Sequence, residues 1–470
     1  MDQCLSQVIR TRSDCVVDHE HAIRLGRESG VASSVTSGDT KNIAVVGSGI
    51  SGLSAAWLLA HRHRVTLYES SPRLGGHTST IQVEQDRVDT GFIVFNEQTY
   101  PNLVALFGHL GVETRASEMS FSVSLDHGKL EYAGTDLAGL FAQKTNLLRP
   151  RFWAMLKDLA RFYREAPGAD ASGLSLGEFL NRHRYGAAFR DDHLLPMAAA
   201  IWSAPANTLL NHPAESFIRF CDNHGLLKFT DRPVWRTVMG GSASYIPPLI
   251  APFRENIRLN CGVRQIWREH DHVVLEDRWG GSDDYDHVVI AAHADQALAM
   301  LGDPGIDEVS MLRAFRYSKN QVSLHRDAAL MPKRRQAWTS WNYLGKRPKQ
   351  GAERELSVTY WMNRLQGLPE ERPYFVTLNA PEAPPDPIRS EEMEHPIFDL
   401  NAIAAQKSLW RMQGSRRTWF CGAYCGAGFH EDGLQAGLLV AEKLGGVQRP
   451  WHVRDQAARL PAEVALMGVA

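Results

Sequence analysis

The chain has 470 residues, of which 44% are hydrophobic and 22% are charged, as in ordinary globular proteins. That length allows two or three domains, and a net charge of −2 gives no electrostatic basis for a nucleic-acid partner. The six cysteines show neither C-x-x-C spacing nor the density of a secreted disulfide framework, so reduced thiols in a cytoplasmic protein are expected. No apolar run reaches the ~18 residues of a transmembrane segment.

The first 40 residues are polar, mixed in charge and rich in Ser and Gly, and they contain no apolar h-region. This composition is typical of a disordered leader rather than of a packed segment. The folded chain is therefore expected to begin near Lys41.

An apolar run at 43–46 leads into a Gly-x-Gly-x-x-Gly turn and a second apolar run. The pattern predicts a buried parallel strand, a tight turn and a helix. Gly47 permits the turn, Gly49 lets phosphate groups approach the backbone, and Gly52 lets the helix pack on the sheet. Because a helix N-terminus attracts anions, the sequence predicts a dinucleotide pyrophosphate site formed by Gly47, Ser48, Gly49, Ile50, Ser51 and Gly52.

A second strand is predicted at 65–69, and Glu69 ends it about 20 residues after the first glycine of the turn. A carboxylate there accepts hydrogen bonds from adenosine ribose hydroxyls and repels a 2′-phosphate, which disfavours an NADP-type site. The following segment suits a second loop that lays a cation and bare backbone against the pyrophosphate, although the same residues also make an ordinary polar turn. The predicted contacts in it are Ser70, Arg73, Gly75, Gly76, His77 and Thr78.

Strand-like segments at 263–266 and 273–275 lead to a parallel-type strand at 286–292. The middle of the chain differs, with helical stretches between 115 and 235 and alternating strands at 358–363 and 374–379. The expectation is an antiparallel sheet that is roofed by helices.

Residues 418–444 form another strand, glycine-rich loop and helix. Asp432 is predicted as the N-cap, and Gly437 with Ala441 gives the helix a small-residue face for close packing. A second helix N-terminus at the site would stabilise negative charge on the N1/C2=O edge of a reduced flavin, which an NAD site does not need. The segment therefore favours FAD, with predicted contacts at Gly422, Glu431, Asp432, Gly433 and Leu434.

Together these motifs resemble the flavin-containing amine oxidase and phytoene desaturase superfamily, and segments 220–227, 232–242 and 428–433 are similar to its bacterial subgroup of NAD/FAD-binding oxidoreductases. The resemblance implies an α/β fold with an FAD-binding, Rossmann-like, doubly wound domain and an α+β substrate domain. It implies that residues 41–114, 236–301 and 400–447 form the first domain, that 115–235 and 302–399 form the second, and that 448–470 are a tail. It also implies that Val263 and Ala292 lie at the cofactor, Val263 through its backbone.

Two departures stand out from that resemblance. His77 stands where most relatives carry Arg, which leaves one permanent charge fewer for the pyrophosphate. Asp432 and Gly433 stand where amine oxidases usually have Gly-Ala. The second departure bears on amine oxidation more than on flavin binding.

Flavin chemistry asks little of side chains, because the cofactor takes the hydride, and no metal-ligand spacing occurs among the histidines. By resemblance, Lys319 matches a lysine that holds a water near the flavin N5 in many amine oxidases; the alternative is a lysine that points to solvent. His430 and Glu431 are predicted to contact flavin or substrate, with His430 as a proton carrier. The alternative is a loop histidine and an acidic residue favoured by the helix dipole.

Five aromatic residues indicate either an aromatic-lined cavity or plain core: Trp338, Trp341, Tyr343, Tyr360 and Trp361. The basic, aromatic segment 149–164 is consistent with peripheral membrane contact, and equally with an amphipathic roof helix.

The sequence thus predicts an FAD-dependent oxidoreductase that removes a hydride from a C–H bond. The resemblance implies a hydrophobic substrate such as a fatty-acyl chain or another lipid. Amine oxidation with O2 and release of peroxide is the leading alternative. An FAD-dependent isomerase or a lipid-binding chaperone of the same fold is an alternative of another class.

Overall fold

The computed structural model of the protein describes residues 40–202, 206–228, 231–346, 356–454 and 460. The leader expected before Lys41 lies outside the described residues, apart from Thr40. The strands are β1 Asn42–Val46, β2 Arg64–Tyr68, β3 Thr80–Val83, β4 Asp86–Asp89, β5 Val94–Asn96, β6 Thr114–Ser117, β7 Phe121–Leu125, β8 Leu130–Ala133, β9 Trp235–Val238, β10 Ile257–Arg258, β11 Val263–Arg268, β12 Val273–Asp277, β13 Ser282–Tyr285, β14 His287–Ile290, β15 Arg316–His325, β16 Trp341–Gly345, β17 Leu356–Trp361, β18 Phe375–Leu378, β19 Arg389–Ile397 and β20 Thr418–Phe420.

Helices connect and cover these strands. They are α1 Ile50–Leu59, α2 Pro101–Leu110, α3 Leu137–Leu140, α4 Pro150–Glu165, α5 Leu176–Arg182, α6 Ala187–Phe189, α7 Leu195–Trp202, α8 Ala206–Leu210, α9 Ala214–Asn223, α10 Ile246–Ile250, α11 Ala294–Met300, α12 Ile306–Leu312, α13 Met362–Gln366, α14 Leu400–Leu409 and α15 His430–Gly445.

The predicted parallel sheet is confirmed, with five strands in the order β10-β2-β1-β14-β20. The central strand β1 is buried from Ile43 to Val46, as expected where both faces of a parallel sheet are covered. Val46 is in register with Tyr68 and Ile290, and Ile290 with Phe420. The turns that follow these four strands therefore lie at one edge of the sheet.

Helix α15 packs against α1 through glycines. A Cβ at Gly437 would lie 2.2 Å from the Ser51 carbonyl oxygen, so the predicted close packing at this position is confirmed. The predicted N-cap is wrong, because α15 begins at His430 with Phe429 as N-cap. Asp432 is the third residue of the helix, and its Oδ2 accepts a hydrogen bond from Phe429 N at 2.7 Å. The carboxylate thus satisfies the helix start from inside the first turn.

The second sheet has seven strands in the order β19-β15-β18-β17-β16-β7-β8. Its pairs are antiparallel except for the parallel pair of β16 and β7. Side chains of α4, α5, α7 and α9 share one hydrophobic core with β7, β16 and β18. The predicted antiparallel sheet under a helical roof is therefore confirmed, with one parallel pair added.

Two of the histidines buried in the helical roof are His193 and His212. His193 lies beside Tyr132, whose hydroxyl is 3.0 Å from His193 Nδ1, and His212 packs against Trp202 and Phe217. Burial lowers the pKa of each imidazole to about 4, because the charged form loses its hydration. Both side chains are therefore neutral at pH 7.

We predict that the free energy of unfolding falls as the pH falls from about 6.5 toward 4. The unfolded chain binds these protons near pH 6.5, whereas the folded chain resists them until about pH 4, so acid favours the unfolded state. Each histidine contributes about 2 kcal/mol to the loss between pH 7 and pH 5. Urea unfolding at both pH values measures it, and His212→Asn should reduce the difference by that amount. An unchanged pH difference in this variant would contradict the assignment.

We predict that Gly437→Ala lowers the free energy of unfolding by about 2–3 kcal/mol, because the added methyl group must push α1 away from α15. Gly108→Ala is the matched control. Gly108 also lies inside a helix, but no atom lies within 4 Å of the place that its Cβ would take, and alanine favours helix by about 1 kcal/mol. Urea unfolding of both variants makes the comparison; equal loss of stability in the two would refute the packing argument.

Candidate active site

A cavity of about 750 Å³ lies at the edge where the carboxyl ends of the parallel strands meet. Residues 47–51, 69–70, 75–76, 262–264 and 291–292 line what we call its glycine end. The second sheet and the helical roof share a hydrophobic core, which we call the second core. Its residues line what we call the aromatic end of the cavity, which includes Trp202, Phe220, Trp235, Trp341 and Tyr360. The volume is typical of ligand sites, about 300–1,000 Å³.

The first glycine turn has the geometry of a phosphate site. Gly47 has φ +102°, and a Cβ there would lie 2.7 Å from the Ala291 carbonyl oxygen, so only glycine fits. Gly49 is the N-cap of α1; it has no atom within 4 Å of the place that a Cβ would take, and no side chain caps the helix. The start of α1 therefore presents backbone N–H groups to open space, as anion sites do.

Glu69 joins the first two turns at the cavity wall. Its Oε2 accepts hydrogen bonds from Ser48 N at 2.9 Å and Ser48 Oγ at 2.5 Å, and its Oε1 accepts one from Ser71 N at 2.8 Å. Glu69 and its neighbour Ser70 both line the glycine end. The contact of Glu69 with a ribose stays a prediction.

The second loop contacts the first turn through its glycines. Gly75 N donates to the Ser48 carbonyl oxygen at 3.0 Å, and a Cβ on Gly76 would lie 3.1 Å from Gly49 Cα. Arg73 does not line the cavity: its guanidinium donates to the Gly76 carbonyl at 2.9 Å and the Thr78 carbonyl at 3.2 Å. This arginine stabilises the loop from behind, rather than facing the predicted pyrophosphate position.

His430 lines the cavity. Its ring stacks on Phe92 with centroids 3.9 Å apart and 8° between the planes. Its Nε2 is hydrogen-bonded to the Tyr245 hydroxyl at 2.9 Å, and that hydroxyl is bonded to Thr78 Oγ1 at 2.6 Å. Burial lowers the pKa of His430 to about 3, so the ring is neutral at pH 7.

His77 is also neutral, since burial lowers its pKa to about 3. Its ring centroid lies 5.2 Å from that of His395 and 6.4 Å from that of His293. All three rings line the cavity beside its glycine end. The arginine that the family resemblance leads us to expect at position 77 is therefore replaced by an uncharged imidazole.

Sequence analysis missed His293 and His395. His395 Nδ1 is bonded to Asn320 Nδ2 at 2.9 Å, and His293 Nδ1 lies 3.2 Å from Glu394 Oε2. A signal for His293 was present, because it follows β14 at the edge where ligands bind in parallel sheets. His395 gave none, because only the pairing of β19 with β15 brings it to the cavity.

Lys319 is not brought to the cavity. Its side chain is 67% exposed, and its Nζ lies 2.9 Å from Glu392 Oε1 and 3.9 Å from Glu394 Oε1. The bond to Glu392 raises the pKa of Lys319 above its usual value. The alternation of β15 points this lysine to solvent, while its neighbour Asn320 is buried.

Glu431 is buried, but it faces a helix rather than the cavity. Its Oε1 accepts hydrogen bonds from Asn102 N at 3.0 Å and Asn102 Nδ2 at 2.9 Å, and its Oε2 accepts one from Leu103 N at 2.9 Å. The carboxylate therefore caps the N-terminus of α2. A catalytic role for Glu431 finds no support in this position.

The other predicted contacts divide into two groups. Gly47 to Ser51, His77, Val263, Ala292 and Gly422 line the cavity. The second group lies behind the cavity wall. Gly52 packs on Gly47, Gly433 packs on Ile50, and Leu434 lies in the hydrophobic core around the parallel sheet. Thr78 and Asp432 bond Tyr245 and Phe429 instead.

Apolar and aromatic side chains form the aromatic end. Its lining includes Tyr100, Met119, Ile201, Trp202, Phe220, His224, Leu226, Trp235, Val322, Trp341, Tyr360, Leu378 and Phe429. Among the five aromatic residues singled out in the sequence, only Trp341 and Tyr360 belong to it. Tyr343 is fully buried in the second core, and Trp338 and Trp361 form a separate cluster with Phe375.

Within the described ranges, no helix has both the length and the apolar composition to cross a membrane. In that same part of the chain, no group of three or more His, Cys, Asp or Glu side chains is arranged to hold a metal ion.

Curated relatives match short parts of the chain. Protoporphyrinogen oxidase of Schizosaccharomyces pombe is 27% identical over 191 residues, which are 36% of this chain and 38% of that protein. Carotenoid phi-ring synthase of Streptomyces griseus is 48% identical over 69 residues, or 13% of each chain. L-amino-acid oxidase of Bungarus fasciatus is 51% identical over 47 residues, 10% of this chain and 9% of that one. The chain thus spans well under half of each relative.

Solved structures share the fold over most of the chain. Putrescine oxidase bound to putrescine has a TM-score of 0.59 and 16% identity, covering 86% of this chain and 99% of that one. Cyclohexylamine oxidase from Brevibacterium oxydans has 0.60 and 17%, covering 86% and 100%. A fatty acid isomerase from P. acnes has 0.59 and 16%, covering 86% and 98%.

The sequence profile of the flavin containing amine oxidoreductases matches residues 50–325, more than half of the chain. The glycine end fits the dinucleotide part of the flavin cofactor, because the uncapped start of α1 and the open space at Gly49 leave room for phosphates. The chain belongs to the flavin containing amine oxidoreductase family.

Proposed function

We propose that this enzyme oxidises a C–H bond of a hydrophobic substrate, a fatty-acyl chain or another lipid, which lies in the aromatic end of the cavity. The observation that carries the proposal is the composition of that end. Aromatic and aliphatic side chains surround it, and no Asp, Glu, Lys or Arg is among its described lining residues. Contact between such a surface and an apolar substrate lowers the free energy, because both leave water.

The positions of the charged lining residues also favour this substrate over an amine. Glu69 and Arg264 belong to the glycine end, and Glu394 is bonded to His293. An ammonium group in the aromatic end would lose its hydration without gaining a carboxylate, which costs several kcal/mol. The described residues therefore support a neutral, apolar reacting group.

When bound, FAD supplies the acceptor for the hydride. The chain's own residues bind the cofactor and orient it in the cavity. We assign the pyrophosphate to the N–H groups of Gly49 to Ser51, at the uncapped start of α1, and the ribose hydroxyls to Glu69. Gly422 and the start of α15 approach the middle of the cavity, where the positive end of the helix favours negative charge.

His430 is proposed as a positioning residue. A pKa of about 3 does not suit a proton carrier at neutral pH. Its neutral ring stacks on Phe92 and is held by Tyr245, so it forms an uncharged part of the cavity wall.

His293 and Glu394 are proposed to move protons out of the cavity. His293 Nδ1 lies 3.2 Å from Glu394 Oε2, and Glu394 Oε1 lies 3.9 Å from the exposed Lys319 Nζ. The pair links the cavity wall to the protein surface, and a histidine can accept a proton on one ring nitrogen while it releases one from the other.

We predict that anaerobic mixing with unsaturated or branched fatty acids bleaches the flavin absorbance, whereas polyamines and aryl amines do not. Leu226→Asp should lower the bleaching rate by about 100-fold, because a charge beside the acyl chain is costly. Leu226→Met is the matched control and should keep the rate within about threefold. Peroxide released with amines would instead identify an amine oxidase. Double-bond migration without bleaching would identify an isomerase, and binding without change a chaperone.

We predict that His430→Phe keeps FAD bound and leaves the shape of the pH profile of kcat/KM unchanged between pH 6 and pH 9. The reason is that His430, with a pKa of about 3, holds no proton to lose in that range. His430→Ala removes the stack on Phe92 and should lower kcat/KM by about tenfold. Loss of an acidic limb in His430→Phe alone would show that His430 carries a proton after all.

A further inference from the structure

The stretch from α3 to the start of α4 exposes several large apolar side chains. Leu137 is 74% exposed, Leu148 is 86% exposed, and Leu147 and Trp153 are each about half exposed. These four residues, which we call the apolar tip, are four of the twelve large exposed hydrophobic residues of the described chain. Single exposed leucines are ordinary on protein surfaces, but a cluster marks an interaction site.

Direct contacts connect the segments that carry the apolar tip. Trp153 Nε1 donates a hydrogen bond to the Leu147 carbonyl oxygen at 2.9 Å, and the Trp153 ring lies 5.9 Å from that of Phe141. Phe141 N in turn donates to the Leu137 carbonyl oxygen at 3.1 Å. The four side chains therefore project from a connected piece of backbone.

Basic residues surround the apolar tip. Between residues 137 and 157 the sequence has Lys144, Arg149, Arg151 and Lys157 and no Asp or Glu. Lys129 joins them, because Arg149 Nη1 donates to its carbonyl oxygen at 2.5 Å. The turn at 335–337, which follows exposed Lys333, packs against α3.

The acidic residues nearby already have partners. Asp192 forms an ion pair with Arg151 at 2.7 Å, and Glu131 is buried and paired with Arg334 at 2.7 Å. Asp136 accepts a hydrogen bond from Gly139 N at the start of α3. Asp158 is paired with Arg161 at 3.4 Å, and Asp136 keeps its charge. Lys129, Lys144, Lys157 and Lys333 outnumber it, so the surface around the apolar tip carries net positive charge.

We infer that the apolar tip docks on a bilayer that contains anionic lipids. Leucine and tryptophan side chains enter the boundary between headgroups and acyl chains, while the lysines contact phosphate groups. The positive charge that favours an anionic surface repels the same surface of a second copy of this chain. The inference does not depend on the substrate, because docking is measured without turnover.

The test is co-sedimentation of the full-length, FAD-loaded protein with vesicles of phosphatidylcholine, with and without phosphatidylglycerol. We expect binding to the mixed vesicles, weaker binding to phosphatidylcholine alone, and loss in high salt. Leu147→Ser with Leu148→Ser should weaken binding by about tenfold, and so should Lys144→Gln with Lys157→Gln. Ile306→Ser with Leu400→Ser is the matched control: it removes two exposed apolar side chains elsewhere and should bind as wild type.

Several results would overturn the inference. One is a wild type that does not bind the mixed vesicles, and another is equal binding to both lipid compositions. Wild-type binding by the Leu147 and Leu148 variant, or equal loss in the control, would also refute it. Sedimentation velocity without vesicles tests for dimers. Dimers of the wild type that the Leu147 and Leu148 variant does not form would assign the surface to a second copy instead. Flavin bleaching by a soluble short-chain substrate is scored separately, so either proposal can fail alone.

Discussion

The site depends on close approach of backbone to backbone at the edge of the parallel sheet. A Cβ on Gly47 would lie 2.7 Å from the Ala291 carbonyl oxygen, and one on Gly52 would lie 1.9 Å from the Gly47 carbonyl oxygen. At these distances no side chain is tolerated, so β1, the turn and α1 are held in one geometry. Gly437 extends the same constraint to α15. The result is that two helix starts, α1 and α15, come to the same cavity, although most of the chain separates them in sequence.

Burial sets the charge state of three histidines in the wall of the cavity. His77, His395 and His430 line it, and burial lowers their pKa values to about 3 or 4. At neutral pH they therefore supply hydrogen-bonding and stacking groups without charge, and the uncapped start of α1 supplies positive potential. An uncharged wall suits an apolar substrate, because a fixed charge beside an acyl chain would have to lose its hydration when the substrate enters.

The sequence revealed those parts of the site that a local rule specifies. Gly47, Gly49 and Gly52 could be predicted because steric demands fix both residue type and spacing over a few positions. The parallel sheet and the helical roof followed from hydrophobic periodicity. Lys319 and His395 could not be placed, because only the register between β15 and β19 decides which of them faces the cavity. The position of Glu431 could not be predicted for a similar reason. Its partners are Asn102 and Leu103, and nothing local in the sequence indicates that α2 begins beside α15.

Glu431 also links two helix starts, those of α15 and α2. Its carboxylate belongs to the first turn of α15, beside His430, and it holds the start of α2, which directly follows the cavity-lining Tyr100. A buried carboxylate that loses its donors is destabilised by about 1–3 kcal/mol or more, so these hydrogen bonds oppose separation of the two helix starts. The helix that follows Tyr100 is therefore held at its start by a residue that lies more than 300 positions later in the chain.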